Sequence, residues 1–265
     1  MAIRIVQSKQ NARVKELRAA RLRPPRTEVR VVALEGLNLV VEALRSGLHM
    51  ETLFVAQGSE NLLAELGLPA GVEVLALPRE ILDSAVTTES PQPIAALARP
   101  RSWQWEDVLN SQRTQPLLVI LSGIQDPGNL GTILRSAEAF GATGTICLPG
   151  TVSPWNPKAM RSSAGSVFRI PVIAASEDDC FRHLRDAQIR TFAAMAHDAS
   201  PLSESDLADP AALVIGSEGN GLSPKTAARC DARVTIPCPG PVESLNAAIA
   251  TSILLYEAAR QRATR

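Results

Sequence analysis

The sequence contains few of the residues on which many catalytic and metal sites depend. Aromatic residues make up only 3% of the 265 residues, so a core has to be built mostly from Ala, Leu, Val and Ile. There are three histidines and four cysteines, and the cysteines form no CxxC pair (Cys147, Cys180, Cys230 and Cys238). Because a zinc site needs clustered thiolate or imidazole ligands, we expect unpaired thiols and no metal. The spacing leaves a Cys–His nucleophile pair open, but nothing in the sequence supports one.

Long apolar runs are also missing. No segment approaches the roughly 18 apolar residues that a membrane span needs, and the amino-terminal MAIRIVQSKQ lacks the apolar stretch of a secretory signal. We therefore expect a cytoplasmic protein with no membrane partner. Hydrophobic residues make up 45% of the chain, which is enough for a real core and disfavours disorder. The length suits two modest domains or one large one.

The chain has no net charge, with 27 basic and 27 acidic residues, but the charge is unevenly placed. Residues 1–30 carry a net charge of +7, from two acidic residues and nine basic ones: Arg4, Lys9, Arg13, Lys15, Arg18, Arg21, Arg23, Arg26 and Arg30. Such a block can neutralise the phosphates of a nucleic acid and release counterions. It is equally typical of a solvated helix face or a basic tail, so this feature alone does not decide the function.

A polar stretch at residues 99–116 divides the chain into two segments that each alternate short β-rich runs with helical ones. We expect a first domain over residues 1–105, a linker over 106–115 and a second domain over 116–265. In the first segment, strands are predicted at residues 29–34, 52–56 and 72–77, and helices at 10–22, 36–46, 61–66 and 79–83. This alternation predicts a small α/β layer structure.

The second segment repeats the order strand, glycine loop and helix. Asn129 is predicted to cap a helix that ends at Gly141, and Ser244 to cap the last helix. Strands are predicted at residues 116–123, 143–148, 190–196, 211–219 and 232–237. The pattern predicts a mainly parallel sheet covered on both faces. Ligands bind such sheets outside the carboxyl ends of the strands, which directs attention to three loops.

The first loop spans residues 122–142 and contains the pattern N-x-G-x-x-x-R. Its glycines do not form GxGxxG and no Gly-Lys-Ser/Thr follows, so a phosphate-cradling nucleotide loop is disfavoured. Asn129 and Arg135 lie about 9 Å apart along a helix axis. Read separately, Asn129 is most often a helix cap and Arg135 a surface charge. Together, behind a buried strand, they are a more specific signal.

The second loop, residues 214–223, places Gly216, Gly219 and Gly221 around Glu218, which allows close backbone approach to a flat ligand or forms an ordinary turn. Its Gly-Ser-Glu-Gly quartet is not the G-x-S-x-G nucleophile elbow, so Ser217 is a poor hydrolase candidate.

The third loop, residues 236–246, is stiffened by three prolines and leads directly into the last helix. A serine at position 244 is usually explained as a helix cap, but the prolines and the Glu-Ser-Leu-Asn quartet indicate that capping alone does not explain this loop.

Together these loops resemble the three signature motifs of the SpoU (TrmH-like) branch of the SPOUT RNA methyltransferases. Order and spacing match over residues 116–262, through NLGTILR (129–135), IGSEGNGLS (215–223) and IPCPGPVESLNAAIA (236–250). One departure is Asn-Ala-Ala-Ile at 246–249, where members often have Asn-Val-Ser-Val, which puts substrate handling in doubt but not the site. The first hundred residues resemble the L30e-like substrate-binding domain that many members carry.

The resemblance implies an α/β fold in which an L30e-like domain precedes a SPOUT domain with a carboxyl-terminal trefoil knot. It also implies a homodimer, and a pocket for S-adenosyl-L-methionine in the knotted loops. By position, the cofactor would be contacted through backbone groups of Gly216, Ile236 and Leu245. The catalytic set would be Asn129, Arg135, Glu218, Ser244 and Asn246.

Methyl transfer from a sulfonium releases a neutral thioether, so no metal is expected, and the difficulty is to activate and place a ribose hydroxyl. Because a guanidinium is effectively always protonated, we expect Arg135 to grip the target phosphate and stabilise developing alkoxide charge. Glu218 and Asn246 would orient Arg135 and the ribose, and Ser244 would join them. A target ribose has to be exposed, which favours a loop or bulge in structured RNA. The basic amino-terminal block then becomes the docking surface.

Family analogy favours ribosomal RNA of the large subunit (23S) as substrate over transfer RNA, which stays an alternative. A non-catalytic RNA-binding protein that kept the fold is a further alternative. It would be favoured by a missing Arg135 or a broken third loop, but both Arg135 and the loop are present. A nucleotide-dependent oxidoreductase is disfavoured by the absent GxGxxG. A methyltransferase for a small molecule would not need a basic first domain.

Overall fold

The computed structural model describes residues 2–22, 31–86, 91–109, 115–242 and 244–264, and the chain forms two compact units. The first unit comprises Met1–Ser102 and Trp155–Phe168, and the second comprises Trp103–Pro154 and Arg169–Arg265. The boundaries expected from the sequence assign Trp155–Phe168 to the second domain, but these residues pack with the first unit. Three peptide connections therefore join the units, where a single linker was expected.

The first unit contains a mixed sheet with helices. Its described strands are β1 (Ile3–Ile5), β2 (Val32–Glu35), β3 (His49–Ala56), β4 (Glu73–Leu77) and β5 (Ile94–Arg99). Its described helices are α1 (Ala12–Leu22), α2 (Leu37–Arg45), α3 (Arg79–Asp83) and, from the second stretch, α6 (Pro157–Ser162), with 3-10 turns at Glu60–Glu65 and Ser166–Phe168. The strand order is β1-β4-β3-β5-β2. β1, β4 and β3 run parallel, and β5 is antiparallel to β3 and β2.

Strand β5 shows why part of this sheet escapes a reading of the sequence. Alanine is depleted in strands, so the segment IAALAR does not predict one. In the structure, β5 pairs on both sides, and Ala95 to Ala98 are completely buried. Leu97 of this strand packs with Phe54, Leu75 and Leu17 in one core. Burial between two neighbours therefore decides the strand, and local propensity does not.

The second unit contains a sheet of seven strands in the described residues. They are β6 (Leu117–Leu121), β7 (Gly144–Cys147), β8 (Val172–Ala174), β9 (Arg190–Ala194), β10 (Ser200–Pro201), β11 (Ala211–Ile215) and β12 (Ala232–Thr235). The helices are α4 (Trp105–Leu109), α5 (Pro127–Ala139), α7 (Glu177–Asp186), α8 (Pro224–Ala228) and α9 (Ala247–Ala263), with a 3-10 turn at Leu202–Glu204.

All strand pairs of this second sheet are parallel, in the order β10-β12-β9-β11-β6-β7-β8. The chain runs from β6 to β7 on one side, whereas β11 pairs with β6 on the other, which makes the β6–β11 border a topological switch point. Both strands are buried along their whole length. The expected α/β class with a mainly parallel second sheet is confirmed, and the trefoil knot stays a prediction.

Helix α4 lies within the polar stretch in which the linker was expected. Its Val108 is completely buried against Gly144, where a Cβ would approach the valine side chain to 2.5 Å. Trp105 stacks on His183 with ring centroids 4.2 Å apart. These contacts anchor the helix on the second unit. Among the described residues, no helix has the length and apolar character needed to cross a membrane.

Candidate active site

The first loop leaves β6 and enters α5, and the cap of this helix is Asp126. The Asp126 carboxylate accepts a hydrogen bond from the main-chain N–H of Asn129 (2.9 Å), and Pro127 takes the first helical position. Both residue types are favoured at these places. The prediction that Asn129 caps this helix is therefore wrong, because Asp126 does so three residues earlier. The Asn129 side chain is left available for other contacts.

The second loop folds back on itself directly after β11. Main-chain hydrogen bonds join Ser217 and Gly221 in both directions (3.2 and 2.9 Å). A Cβ at Gly216 would come within 2.1 Å of the Gly221 carbonyl carbon, so only glycine fits there. The close approach at Gly216 is therefore made by the loop's own backbone. The turn presents Glu218 at an exposed position.

The third loop leads from β12 to α9, and Asn246 caps this helix. Its Oδ1 accepts hydrogen bonds from the main-chain N–H groups of Ala248 (2.9 Å) and Ile249 (3.3 Å). The prediction that Ser244 caps the last helix is wrong, because the helix begins at Ala247 and its cap is two residues beyond Ser244. Ser244 is exposed and makes no hydrogen bond with the described part of the chain.

Side chains from the three loops meet in one hydrogen-bonded chain, which we call the amide–carboxylate cluster (Asn129, Glu218 and Asn246). Nδ2 of Asn129 donates to Oε1 of Glu218 (2.7 Å), and Nδ2 of Asn246 donates to Oδ1 of Asn129 (3.1 Å). The α9 cap occupies the Asn246 oxygen, so the network sets the orientation of both amides. The paired residues are 89 and 117 positions apart in the sequence, so the parallel sheet is what unites them.

Arg135 does not join this cluster within a single chain. It is exposed on α5, about 9 Å along the helix axis from Asn129. Within the described residues it makes no hydrogen bond and no ion pair. The expected orientation of Arg135 by Glu218 and Asn246 therefore has no counterpart in the isolated chain. The charge of Arg135 is open to a ligand or to a second subunit.

The three residues expected to contact the cofactor lie at the carboxyl edge of the parallel sheet. Gly216 follows β11, Ile236 follows β12, and Leu245 directly precedes the Asn246 cap. In the same loops, a Cβ built at Gly219 or Gly240 would meet no atom within 4 Å. The second and third loops are therefore open at Gly219 and Gly240, whereas Gly216 is itself buried against Gly221.

Thr151 is a residue of this region that the sequence analysis missed. Its hydroxyl accepts a hydrogen bond from the Gly123 N–H (3.1 Å) and donates one to the Leu121 carbonyl oxygen (2.9 Å). The available signal was the Pro-Gly turn after β7, since a loop that follows a strand next to β6 reaches the same edge of the sheet.

The cysteines show no features of a nucleophile or metal site. All four are unpaired, as expected, and Cys147 and Cys180 are buried. Burial raises the pKa of both thiols to about 12, so they stay protonated at neutral pH. In the part of the chain that the structure describes, no three Cys, His, Asp or Glu side chains form a group able to hold a metal ion.

Part of the basic amino-terminal block is neutralised inside the first unit. Arg13 contacts Glu16 (2.7 Å), Glu51 (3.2 Å) and Glu73 (3.3 Å), and Arg4 also contacts Glu73 (3.2 Å). Hydrogen bonding to Glu16 raises the pKa of Arg13 above its ordinary value. Two basic residues of the proposed RNA surface are thus engaged by acids, two of which lie outside residues 1–30.

Two other members of the block carry charges that no acid neutralises among the described residues. Lys9 and Lys15 are exposed and form no ion pair there. Arg18 donates a hydrogen bond to the Ser84 hydroxyl (3.3 Å). The side chain of Arg21, and Arg23, Arg26 and Arg30 entirely, lie outside the described residues.

Two family models match the chain and divide it as the motifs do. The SpoU rRNA Methylase family matches residues 116–256, which include all three loops. The MRM3-like substrate binding domain matches residues 11–96.

Individual relatives match over nearly the whole chain. An uncharacterized tRNA/rRNA methyltransferase of Mycobacterium ulcerans is 36% identical over 264 residues, covering 96% of this chain and 83% of the relative. The 23S rRNA (guanosine(2553)-2′-O)-methyltransferase RlmP of Bacillus subtilis is 29% identical, covering 95% and 97%. The crystal structure of an AdoMet-bound rRNA methyltransferase from Sinorhizobium meliloti superposes with a TM-score of 0.83 at 32% identity, covering 97% and 98%.

The parallel sheet, the three loops that meet at its carboxyl edge and the similarity over nearly the full length agree with one another. The chain therefore belongs to the SpoU rRNA methylase family.

Proposed function

We propose that this protein transfers a methyl group from S-adenosyl-L-methionine to a ribose 2′-hydroxyl of large-subunit ribosomal RNA. The observation that carries the proposal is the amide–carboxylate cluster, because it joins all three motif loops at the edge where a parallel sheet binds ligands. The Bacillus subtilis relative is named for this reaction on 23S rRNA, and the Sinorhizobium meliloti relative binds AdoMet.

The cofactor would be held by main-chain groups of Gly216, Ile236 and Leu245. The fit rests on the open, glycine-rich loops at this edge, where backbone atoms can approach a ligand without side-chain obstruction. When bound, the cofactor supplies an activated methyl group on a sulfonium. The task left to the protein is to orient the ribose hydroxyl toward that methyl and to stabilise the charge that develops on the oxygen.

The cluster residues suit the orienting part of this task. Glu218 is the only group of the three that can accept a proton, and Asn129 holds one of its oxygens at 2.7 Å. Asn246 fixes Asn129 in turn. Ser244, exposed two residues before Asn246, would contact the ribose directly. Arg135 would bind the phosphate beside the target and stabilise the developing alkoxide, since its guanidinium stays charged.

A homodimer would bring Arg135 to a complete site. On α9, Ile249 and Tyr256 are more than half exposed, and Tyr256 lies edge-on against Phe140 at the end of α5 (centroids 5.9 Å apart). Two large apolar side chains on the exposed face of α9 favour burial against a second copy. Ser136, next to Arg135, is hydrogen bonded to Ser252 of α9 (2.7 Å), so Arg135 lies close to this face. An Ile249→Arg variant should sediment as a monomer and should be inactive. A variant that is still dimeric would show that Ile249 is not part of the interface.

RNA docking is assigned to the first unit. The match to a substrate binding domain supports this role, as do the free cations Lys9 and Lys15. Because ribosomal RNA is modified where ribosomes assemble, we place the reaction in the cytoplasm. Transfer RNA is the alternative substrate, and the name of the Mycobacterium ulcerans relative covers both classes.

The test is a titration of the protein with S-adenosyl-L-methionine, combined with transfer of labelled methyl into total RNA from cells lacking the gene. Label in one ribosomal RNA fragment, at a ribose, is the expected result. Label in transfer RNA would show that transfer RNA, and not ribosomal RNA, is the substrate. Cofactor binding without any label would indicate a precursor or assembly intermediate as substrate, and no cofactor binding would favour an RNA-binding protein without catalysis. Asn129→Ala serves as the inactive control.

A further inference from the structure

Thr151 and Val152, in the loop after β7, are hydrogen bonded to the beginning of the first loop of the candidate site. The Thr151 hydroxyl bridges the Gly123 N–H (3.1 Å) and the Leu121 carbonyl oxygen (2.9 Å). The Val152 N–H donates to the Ile124 carbonyl oxygen (2.8 Å). The turn that begins the path from β6 to Asn129 is therefore tied to residues 151–152 at three points.

Gly123 lies at the centre of this turn with a φ of +75°, a left-handed conformation that glycine adopts without strain. The neighbouring Ser122 N–H donates a hydrogen bond to the Ile215 carbonyl oxygen (2.9 Å), so the same turn is also joined to the end of β11. Because β11 leads directly into the second loop, the turn held by Thr151 borders two loops of the site.

We propose that Thr151 is a positioning residue for methyl transfer. Thr151 touches no substrate atom and acts through Gly123 on Asn129 and Glu218. The inference rests on the proposed methyl transfer activity.

The first experiment removes the Thr151 hydroxyl while keeping the shape of the side chain. Thr151→Val should lower the single-turnover transfer rate about tenfold, with RNA affinity unchanged, and Thr151→Ser should restore it. The control is Thr143→Val, because the Thr143 hydroxyl also donates to main-chain oxygens (Val108, 3.0 Å) but at the other end of β6. A wild-type rate in Thr151→Val, or an equal loss in Thr143→Val, would overturn the proposal.

Amide hydrogen exchange at Gly123 separates this inference from the proposed function. Exchange in protein without cofactor or RNA should be faster in Thr151→Val than in the wild type, because the Gly123 N–H loses its acceptor. Unchanged exchange in Thr151→Val overturns the proposal even if the wild type methylates RNA. A wild type that methylates no RNA overturns the assigned activity, while the exchange result still decides whether the hydrogen-bonded connection exists.

Discussion

Near the amino terminus, arginines of the first unit form ion pairs with carboxylates, whereas the arginine of the candidate site in the second unit forms none with the described residues. Arg13 contacts three carboxylates, and one of them, Glu51, has a side chain only 10% exposed. Arg135 lies exposed on α5 with no ion pair among the described residues. Arg13 neutralises carboxylates that the fold has partly removed from water. Arg135 neutralises no carboxylate among the described residues, so its charge is available for binding.

This contrast shows that a count of basic residues in the sequence does not locate a nucleic-acid surface. Residues 1–30 have the larger basic excess, yet Arg4 and Arg13 are occupied by acids. An isolated arginine behind a buried strand is more informative, because the fold gives it no internal role. We therefore distinguish arginines that stabilise the fold through ion pairs from an arginine that is available for the reaction.

The largest effect is expected for Arg135→Ala, which should lower methyl transfer by about 100-fold or more, because it removes a charge that stabilises the developing alkoxide. The melting temperature should not change, since the exposed Arg135 makes no hydrogen bond or ion pair among the described residues. Arg135→Lys should keep substantial activity if charge alone matters, and full loss would indicate that the guanidinium fork is needed. An active Arg135→Ala variant would show that Arg135 is not part of the site.

Glu218→Ala should lower the transfer rate by about 10- to 100-fold, because Asn129 loses the partner that orients it. Cofactor affinity should stay within about twofold of the wild type, as measured by calorimetry. Glu218→Gln keeps an acceptor oxygen for Asn129 and separates hydrogen bonding from charge. Loss of cofactor binding in Glu218→Ala would contradict a purely orienting role.

Gly216→Ala should destabilise the protein by about 1–3 kcal/mol, because the added Cβ overlaps the backbone at Gly221. Urea denaturation measures this change, and cofactor binding should weaken with it. Gly219→Ala is the matched control, since a Cβ there meets nothing within 4 Å. Equal effects of the two substitutions would mean that the tight turn is not what requires glycine at 216.

Lys9→Ala/Lys15→Ala should reduce the slope of log affinity for RNA against log salt by about 1 to 2, because two phosphate contacts are lost. Arg13→Ala should leave that slope unchanged and lower stability. Point variants are preferred to removal of residues 1–105, because Trp155–Phe168 packs with that unit and would be uncovered. A reduced slope in Arg13→Ala alone would reverse the assignment of the two kinds of cation.

The smallest effect concerns pH. Burial alone would raise the pKa of Glu51, but Arg99 and Arg13 outweigh it and hold that pKa below its ordinary value of 4.5. A carboxyl group with a lowered folded pKa contributes stability above its unfolded pKa and loses it as pH falls through the folded value. Glu51→Gln should therefore be less stable than the wild type by about 1 kcal/mol at pH 7. The difference should shrink below pH 4.5, and a difference independent of pH would exclude the ion pairs as its cause.

Much of the second unit follows from its sequence. Leu117–Leu121 and Ala211–Ile215 are apolar runs next to glycine turns, so their burial as parallel strands is predicted directly. The exact helix caps do not follow, because Asp126 and Asn129 are both good capping residues, as are Ser244 and Asn246. Only the geometry of the turn decides which one caps and which one faces the site.

The sequence by itself determined the α/β class, the parallel second sheet, the three loops and the family, since these depend on local patterns of apolar residues and on motif spacing. Tertiary structure alone decided that Asn129, Glu218 and Asn246 share one hydrogen-bonded chain, that Arg13 contacts Glu51 and Glu73 while Arg135 has no ion pair among the described residues, and that Trp155–Phe168 packs with the first unit. These contacts join residues that are 38 or more positions apart, the Arg13–Glu51 pair having the smallest separation. No local pattern encodes them, because strand order and packing are what place such distant side chains in contact.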